Sequence, residues 1–86
     1  MYTLVFAPSW KRDIKKIDRQ FIPRINKKVF KLEEDPFPAG CEPIKAVPGL
    51  TRIWVGVYRV AYHVDTLTRT VEVIRVGHKD DETYKF

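Results

Sequence analysis

The sequence predicts an α+β fold in which a two-helix hairpin packs on one face of a mostly antiparallel, four-stranded sheet, in the order β-α-α-β-β-β. Apolar residues recur every three or four positions between residues 9 and 34, and apolar and polar residues alternate from Thr51 onwards. A proline-rich segment separates the two patterns. Because the chain has 86 residues, we expect residues 1–86 to form a single domain.

The first strand and the first helix are predicted within residues 2–21. Residues Tyr2–Phe6 are mostly β-branched or aromatic, and Pro8 ends this run, as expected for a short strand. Ser9 suits the N-cap of the following helix, because its hydroxyl can accept a hydrogen bond from a first-turn amide. The apolar face of this helix recurs at helical spacing and comprises Trp10, Ile14, Ile17 and Phe21.

A second helix is predicted to begin near Pro23, because proline interrupts the first helix and suits the first turn of a new one. Asp35 precedes a proline, which disfavours the helical conformation and ends the helix there. The apolar stripe between these points comprises Ile25, Val29 and Leu32.

Residues 36–50 form the connection to the next strand and contain four of the six prolines. An irregular connection of this length is unusual in a small domain. We expect its apolar side chains to pack it against the protein, namely Phe37, Ile44 and Val47.

The second half of the chain predicts three strands, at Arg52–Val57, Tyr58–Asp65 and Thr70–Val76. A tight turn at Gly56-Val57 would place Trp54 opposite Arg59. With this register, the face of the hairpin that remains open carries Arg52, Trp54, Arg59, Ala61 and His63. The face that buries against the helices carries Ile53, Val55, Tyr58, Val60, Tyr62 and Val64.

Composition favours an anionic partner and argues against several kinds of site. The net charge is +5 and the sequence pI is near 9.5, which suits association with a polyanion. One cysteine and two histidines without ligand spacing predict no metal site, and the scattered glycines predict no phosphate loop and no cofactor. No long apolar run and no signal peptide are visible, so we expect a cytoplasmic protein without membrane contact.

The remaining chemistry is cationic and phenolic. Guanidinium and ammonium groups bind phosphate and stabilise charge that develops on it, whereas tyrosine and histidine can exchange protons. This set would suffice for metal-free RNA cleavage in which the ribose 2′-hydroxyl is the nucleophile. The alternative is that these groups only keep an exposed sheet face soluble. The cationic, aromatic and proton-exchanging residues in question are Arg52, Trp54, Arg59, His63, Arg75, His78, Lys79 and Tyr84.

Two segments resemble the RelE/ParE superfamily of toxins from type II toxin–antitoxin modules. The element from Gly56 to Tyr62 (GVYRVAY) resembles the central hairpin of that family. The element from Val76 to Tyr84 (VGHKDDETY) resembles its C-terminal signature. The predicted element order and the chain length agree with the same family.

The resemblance to the RelE branch implies a ribosome-dependent endoribonuclease that cuts messenger RNA in the ribosomal A site, beside 16S rRNA, without a metal. It also implies a small acidic antitoxin as partner. Arg59 matches the central phosphate-binding arginine of the family, and Tyr84 matches its C-terminal tyrosine. The catalytic set implied in this way is Arg52, Arg59, His78, Lys79 and Tyr84, and the phosphate-binding set is Lys45, Arg52, Arg59, Arg75 and Lys79.

Two positions depart from the nuclease pattern and keep two other functions open. Trp54 stands where nuclease members place a second lysine, and Lys79 stands where the family usually has arginine, whose planar fork binds phosphate through two bonds. The ParE branch shares the fold, lacks the nuclease set and poisons DNA gyrase. A basic RNA-binding domain without toxicity is the third hypothesis. Because Arg59, His78 and Tyr84 are intact, we favour the RelE branch.

Overall fold

The structure is a computed structural model that describes residues 1–81, so the predicted site residue Tyr84 lies outside the described residues. Helices α1 and α2 follow the first strand, and four strands follow the helices. The strands are β1 (Thr3–Phe6), β2 (Glu42–Pro43), β3 (Leu50–Val55), β4 (Tyr58–Asp65) and β5 (Thr70–His78), and the helices are α1 (Pro8–Ile14) and α2 (Ile22–Phe30).

The strands form a five-stranded mixed sheet in the order β1-β5-β4-β3-β2. β1 pairs with β5 in parallel, and the other neighbours are antiparallel, so the predicted α+β class is confirmed. The strand that the sequence did not predict is β2, which pairs only Glu42 with Arg52 and Pro43 with Thr51. A proline is tolerated there because β2 is an edge strand.

The first helix is shorter than predicted. α1 ends at Ile14, and a separate 3₁₀ turn covers Arg19–Phe21. Asp18 explains the interruption, because its carboxylate accepts a hydrogen bond of 3.1 Å from the amide of Gln20 and caps the new turn. The predicted continuous helix to Phe21 is therefore wrong.

The N-cap prediction for Ser9 is also wrong. Ala7 occupies the N-cap, Pro8 lies in the first turn, and the Ser9 hydroxyl donates to the carbonyl of Ile74 at 2.7 Å. Ser9 thus connects α1 to β5 rather than capping its own helix.

The second helix follows the prediction closely. α2 is continued by a 3₁₀ turn at Lys31–Glu33, and the predicted apolar stripe is fully buried. This stripe packs with Trp10 against the inner face of the sheet, where Tyr58 and Tyr62 are also buried. The burial of an inner apolar face under the two helices is confirmed.

The register of the β3–β4 hairpin is the one predicted, with Trp54 opposite Arg59 and Arg52 opposite Ala61. Gly56 has φ +60°, which a two-residue hairpin of type II′ requires at its first turn position and which glycine adopts without strain. Because the turn and the alternation agree, the hairpin separates its apolar face from its basic face.

Part of the outer sheet face is covered by the loop between α2 and β3. Ile44 and Ala61 are buried together, and Val47 and Leu50 pack against them. The expectation that Ala61 lies on an open face is therefore wrong. Ile44 and Val47 pack as predicted, but Phe37 is 51% exposed and does not contribute.

Within residues 1–81, none of the helices is sufficiently long and apolar to cross a bilayer.

Candidate phosphate-binding face

The exposed face of the β3–β4 hairpin carries a cluster of two guanidinium groups and an indole. The Cζ atom of Arg52 lies 5.8 Å from the centre of the Trp54 ring, and that of Arg59 lies 5.7 Å from the same centre. Arg52 precedes Trp54 by two residues on β3, and Arg59 is its direct partner on β4, so strand pairing alone brings them together. At these distances the ring attracts both cations. We call Arg52, Trp54 and Arg59 the arginine–tryptophan cluster.

Glu42 fixes the outer side of this cluster. Its Oε1 atom accepts a hydrogen bond of 3.3 Å from the indole nitrogen of Trp54 and lies 3.6 Å from Nε of Arg52. The short strand β2 makes these contacts possible, because it places Glu42 beside Arg52. Sequence reasoning missed Glu42, since no periodicity marks a strand of two residues.

The segment that follows β5 is held against the same cluster. Arg59 donates through Nη2 to the carbonyl of Lys79 at 3.2 Å. The amide of Lys79 donates to the carbonyl of Val57 in the hairpin turn at 2.8 Å. The main chain of Lys79 is thereby placed beside Arg59, and the Lys79 residue is exposed.

His78 lies away from the arginine–tryptophan cluster. It pairs with Tyr58, whose side chain points to the helix-covered face, and the two rings meet edge to face at 5.6 Å. Its Nδ1 atom accepts a hydrogen bond of 3.1 Å from the amide of Asp80. The neutral ring therefore carries its proton on Nε2, and the imidazole contacts Tyr58 and Asp80.

Arg75 also lies apart, because it is bound to Asp13 of α1. Its Nε and Nη2 atoms donate to the two carboxylate oxygens at 2.7 and 3.2 Å, and the amide of Val76 donates to one of them at 3.1 Å. Asp13 is a buried charged residue, so this ion pair fastens α1 to β5. Arg75 thus serves a helix–sheet contact in the place where we expected a phosphate ligand.

Lys45 lies in the loop that covers Ala61, and it is exposed. Of the predicted site residues, the structure therefore brings together Arg52, Arg59 and the main chain of Lys79. It adds Trp54 and Glu42 to them.

This face can hold an anion and stack a ring. Two guanidinium groups beside one ring provide planar donors for phosphate oxygens, and the indole offers a surface for an unpaired base. In the part of the chain that the structure describes, no group of three His, Cys, Asp or Glu side chains is placed to hold a metal ion.

The fold and this face together define a small basic α+β protein that presents cations and an aromatic ring on an exposed sheet surface. Residues 4–83 match the family model described as the ParE toxin of type II toxin-antitoxin system, parDE. The chain therefore belongs to the ParE toxin family and is a toxin of a type II toxin–antitoxin system. This membership removes the hypothesis of a non-toxic RNA-binding domain.

Solved structures show the same fold. The toxin–antitoxin complex RelBE2 of Mycobacterium tuberculosis is 29% identical, with 90% of this chain and 96% of that chain covered and a TM-score of 0.69. The isolated Escherichia coli RelE toxin is 24% identical, with 98% and 92% covered and a TM-score of 0.77. The archaeal RelE–RelB complex of Pyrococcus horikoshii is 17% identical, with 92% and 96% covered and a TM-score of 0.78. No curated protein sequence matches the chain.

Proposed function

We propose that this toxin is a metal-independent endoribonuclease that cuts messenger RNA on the ribosome. The observation that carries the proposal is the arginine–tryptophan cluster, in which two guanidinium groups lie against one indole on an exposed face. A phosphodiester needs such planar cations, and an unstacked base needs such a ring.

The proposed reaction is a displacement within the RNA. The 2′-hydroxyl oxygen attacks the adjacent phosphorus, the bond to the 5′-oxygen of the next nucleotide breaks, and a 2′,3′-cyclic phosphate and a 5′-hydroxyl end result. One proton leaves the attacking hydroxyl, and one is gained by the leaving oxygen. In this reaction Arg59 and Arg52 bind the non-bridging oxygens, where negative charge increases in the transition state.

The other groups assist from the edges of this face. Lys79 supplies a further cation, because its main chain is bonded to Arg59. Tyr84 follows Lys79 by five residues in the sequence, and we propose that it stacks on the substrate or exchanges a proton. His78 has no part in this proposal, since its ring packs against Tyr58.

We also propose an acidic antitoxin as the partner. The Mycobacterium tuberculosis and Pyrococcus horikoshii relatives were solved as toxin–antitoxin complexes. A net charge of +5 suits a partner of opposite charge. An acidic segment that folds over the arginine–tryptophan cluster would block RNA from reaching it.

Inhibition of DNA gyrase is the second candidate function. The observation that favours it is the match to the ParE toxin family model. The expectation that Trp54 and Lys79 depart from the nuclease pattern points in the same direction. Under this hypothesis the arginine–tryptophan cluster contacts a protein surface, and messenger RNA stays intact.

Expression in translating cells, followed by mapping of messenger RNA ends, separates the two functions. We expect new 5′ ends within coding regions for the wild type and for Arg12→Ala, which removes an exposed arginine of α1. We expect them to disappear in Arg59→Ala. Intact messenger RNA together with inhibited supercoiling by purified gyrase would instead establish the second function.

A further inference from the structure

A second basic surface lies between α2 and the end of β3. It is a cleft of about 540 Å³, and no residue of the arginine–tryptophan cluster lines it. This volume is within the range of small-molecule sites, roughly 300–1,000 Å³. The cleft is lined by Arg24, Lys27, Lys28, Lys31, Pro38, Ala39, Val55 and Gly56.

Three cations of α2 (Arg24, Lys27 and Lys28) and Lys31 of the 3₁₀ turn that continues the helix line this cleft. They occupy the positions i, i+3, i+4 and i+7, which share one helix face. Among residues 1–81, no acidic side chain lines the cleft to offset them. Like charges at this spacing repel one another, and a bound polyanion would remove that repulsion.

Lys28 shows how the cleft is built. Its ammonium group donates to the carbonyl of Trp54 at 2.5 Å, on the edge of β3 beyond the short strand β2. This bond ties α2 to the sheet, so the positions of Lys27 and Lys31 are set relative to the opposite wall. We therefore treat Lys28 as part of the scaffold of the cleft.

The floor of the cleft and the adjoining cavity are apolar. Val55, which is buried, lines the cleft together with Pro38 and Ala39. A second cavity of about 190 Å³ shares Arg24, Val55 and Gly56 with the cleft and is lined further by Phe21 and Val57. The two spaces together place a row of cations next to a mainly apolar recess.

We propose that this cleft binds a nucleoside di- or triphosphate, with the phosphates on Lys27, Lys31 and Arg24 and the base in the recess beside Phe21. Charge complementarity requires an anion with several charges, and the apolar recess requires a ring system. A folded partner or a long RNA would need an extended surface, whereas these features lie within one compact space. The proposal is independent of the proposed ribonuclease activity.

Calorimetric titration of the full chain with ATP, and separately with tripolyphosphate, tests this proposal. We expect ATP to bind with higher affinity than tripolyphosphate, because the base adds apolar contacts. In Lys27→Gln/Lys31→Gln, we expect the affinity for ATP to fall by about tenfold, since two charge-assisted contacts are lost. The matched control is Lys11→Gln/Lys15→Gln, which removes an exposed lysine of α1 and the exposed lysine that follows it, and it should change the affinity by less than about twofold.

Three results would overturn the proposal. Equal weakening in both lysine pairs would mean that ATP responds only to the overall charge. Equal affinity for ATP and tripolyphosphate would mean that the recess holds no base. If the wild type bound a single-stranded RNA oligonucleotide but not ATP, and Lys27→Gln/Lys31→Gln weakened the RNA binding, the cleft would be a nucleic-acid surface.

Discussion

Trp54 stands at the position where the resemblance led us to expect a lysine. A lysine there would add charge, whereas the indole orients the two guanidinium groups that flank it and is itself held by Glu42. The cluster therefore still has two positive charges, those of Arg52 and Arg59, and both lie against a ring that Glu42 holds in place. A tryptophan at this position is compatible with phosphate binding for this reason.

We predict that Trp54→Ala slows messenger RNA cleavage by about tenfold, because each cation–π contact contributes roughly 0.5–1 kcal/mol. Trp54 is only partly buried, so the free energy of unfolding should change little. Single-turnover cleavage and urea unfolding of the same preparation check both statements. A large loss of stability would mean that Trp54 acts as a core residue.

Tyr62 is the buried polar residue that joins the loop to the core. Its hydroxyl donates to the carbonyl of Pro36 at 2.8 Å, and burial raises its pKa well above the ordinary value. Because the folded state favours the neutral phenol, its hydrogen bond contributes fully below about pH 10, the ordinary tyrosine pKa. As the pH rises further, ionisation stabilises the unfolded chain and the contribution is lost.

We predict that Tyr62→Phe lowers the free energy of unfolding by about 1–2 kcal/mol at neutral pH, since the Pro36 carbonyl loses its donor. Above about pH 10 the difference between wild type and variant should shrink. Urea unfolding of both proteins at several pH values measures this difference in the free energy of unfolding. A gap that widens with pH would contradict the direction of the pKa shift.

At the scale of the elements, α1 is held to β5 by two polar residues one turn apart. Ser9 and Asp13 bind main-chain groups of β5 at Ile74 and Val76, beyond the point where β1 stops pairing with that strand. The helix thus satisfies backbone groups that a longer β1 would have satisfied. The short α1 is secured by these contacts rather than by its intrinsic propensity.

We predict that Asp13→Ala lowers the free energy of unfolding by about 2–4 kcal/mol, because Arg75 and the Val76 amide lose their acceptor. Glu34→Ala, which removes an exposed carboxylate, is the control and should change it by less than about 0.5 kcal/mol. Thermal and urea unfolding check both. Equal effects would mean that the Asp13 contacts contribute nothing.

The sequence predicted those elements that are determined by residues close together in the chain. The alternation from Thr51 and the glycine of the turn agree on one register, so the hairpin and its basic face were predictable. α1 ends early because the Asp18 side chain competes with the helix, and β2 exists only through pairing with β3. Neither the early end of α1 nor the pairing of β2 is marked by a periodic pattern of apolar residues in the sequence.

At the scale of the whole molecule, the candidate site is a shallow face on one side of the sheet. Arg52 and Arg59 were predictable as neighbours because strand alternation places them on one face. The positions of Arg75 and His78 could not be predicted from the sequence, because a β-bulge opposite Ala61 and Tyr62 shifts the register of β5. A face without a deep pocket fits the proposal that the ribosome completes the active site.

The central claim is that the arginine–tryptophan cluster cleaves messenger RNA on the ribosome. Its most direct test is single-turnover cleavage of a synthetic messenger RNA that is bound to purified ribosomes, in the absence of antitoxin. We predict cleavage by the wild type and by Arg12→Ala at similar rates, and a rate about 10²–10³-fold lower for Arg59→Ala, because the transition state loses a guanidinium. Cleavage by Arg59→Ala at the wild-type rate would contradict the account of the arginine–tryptophan cluster.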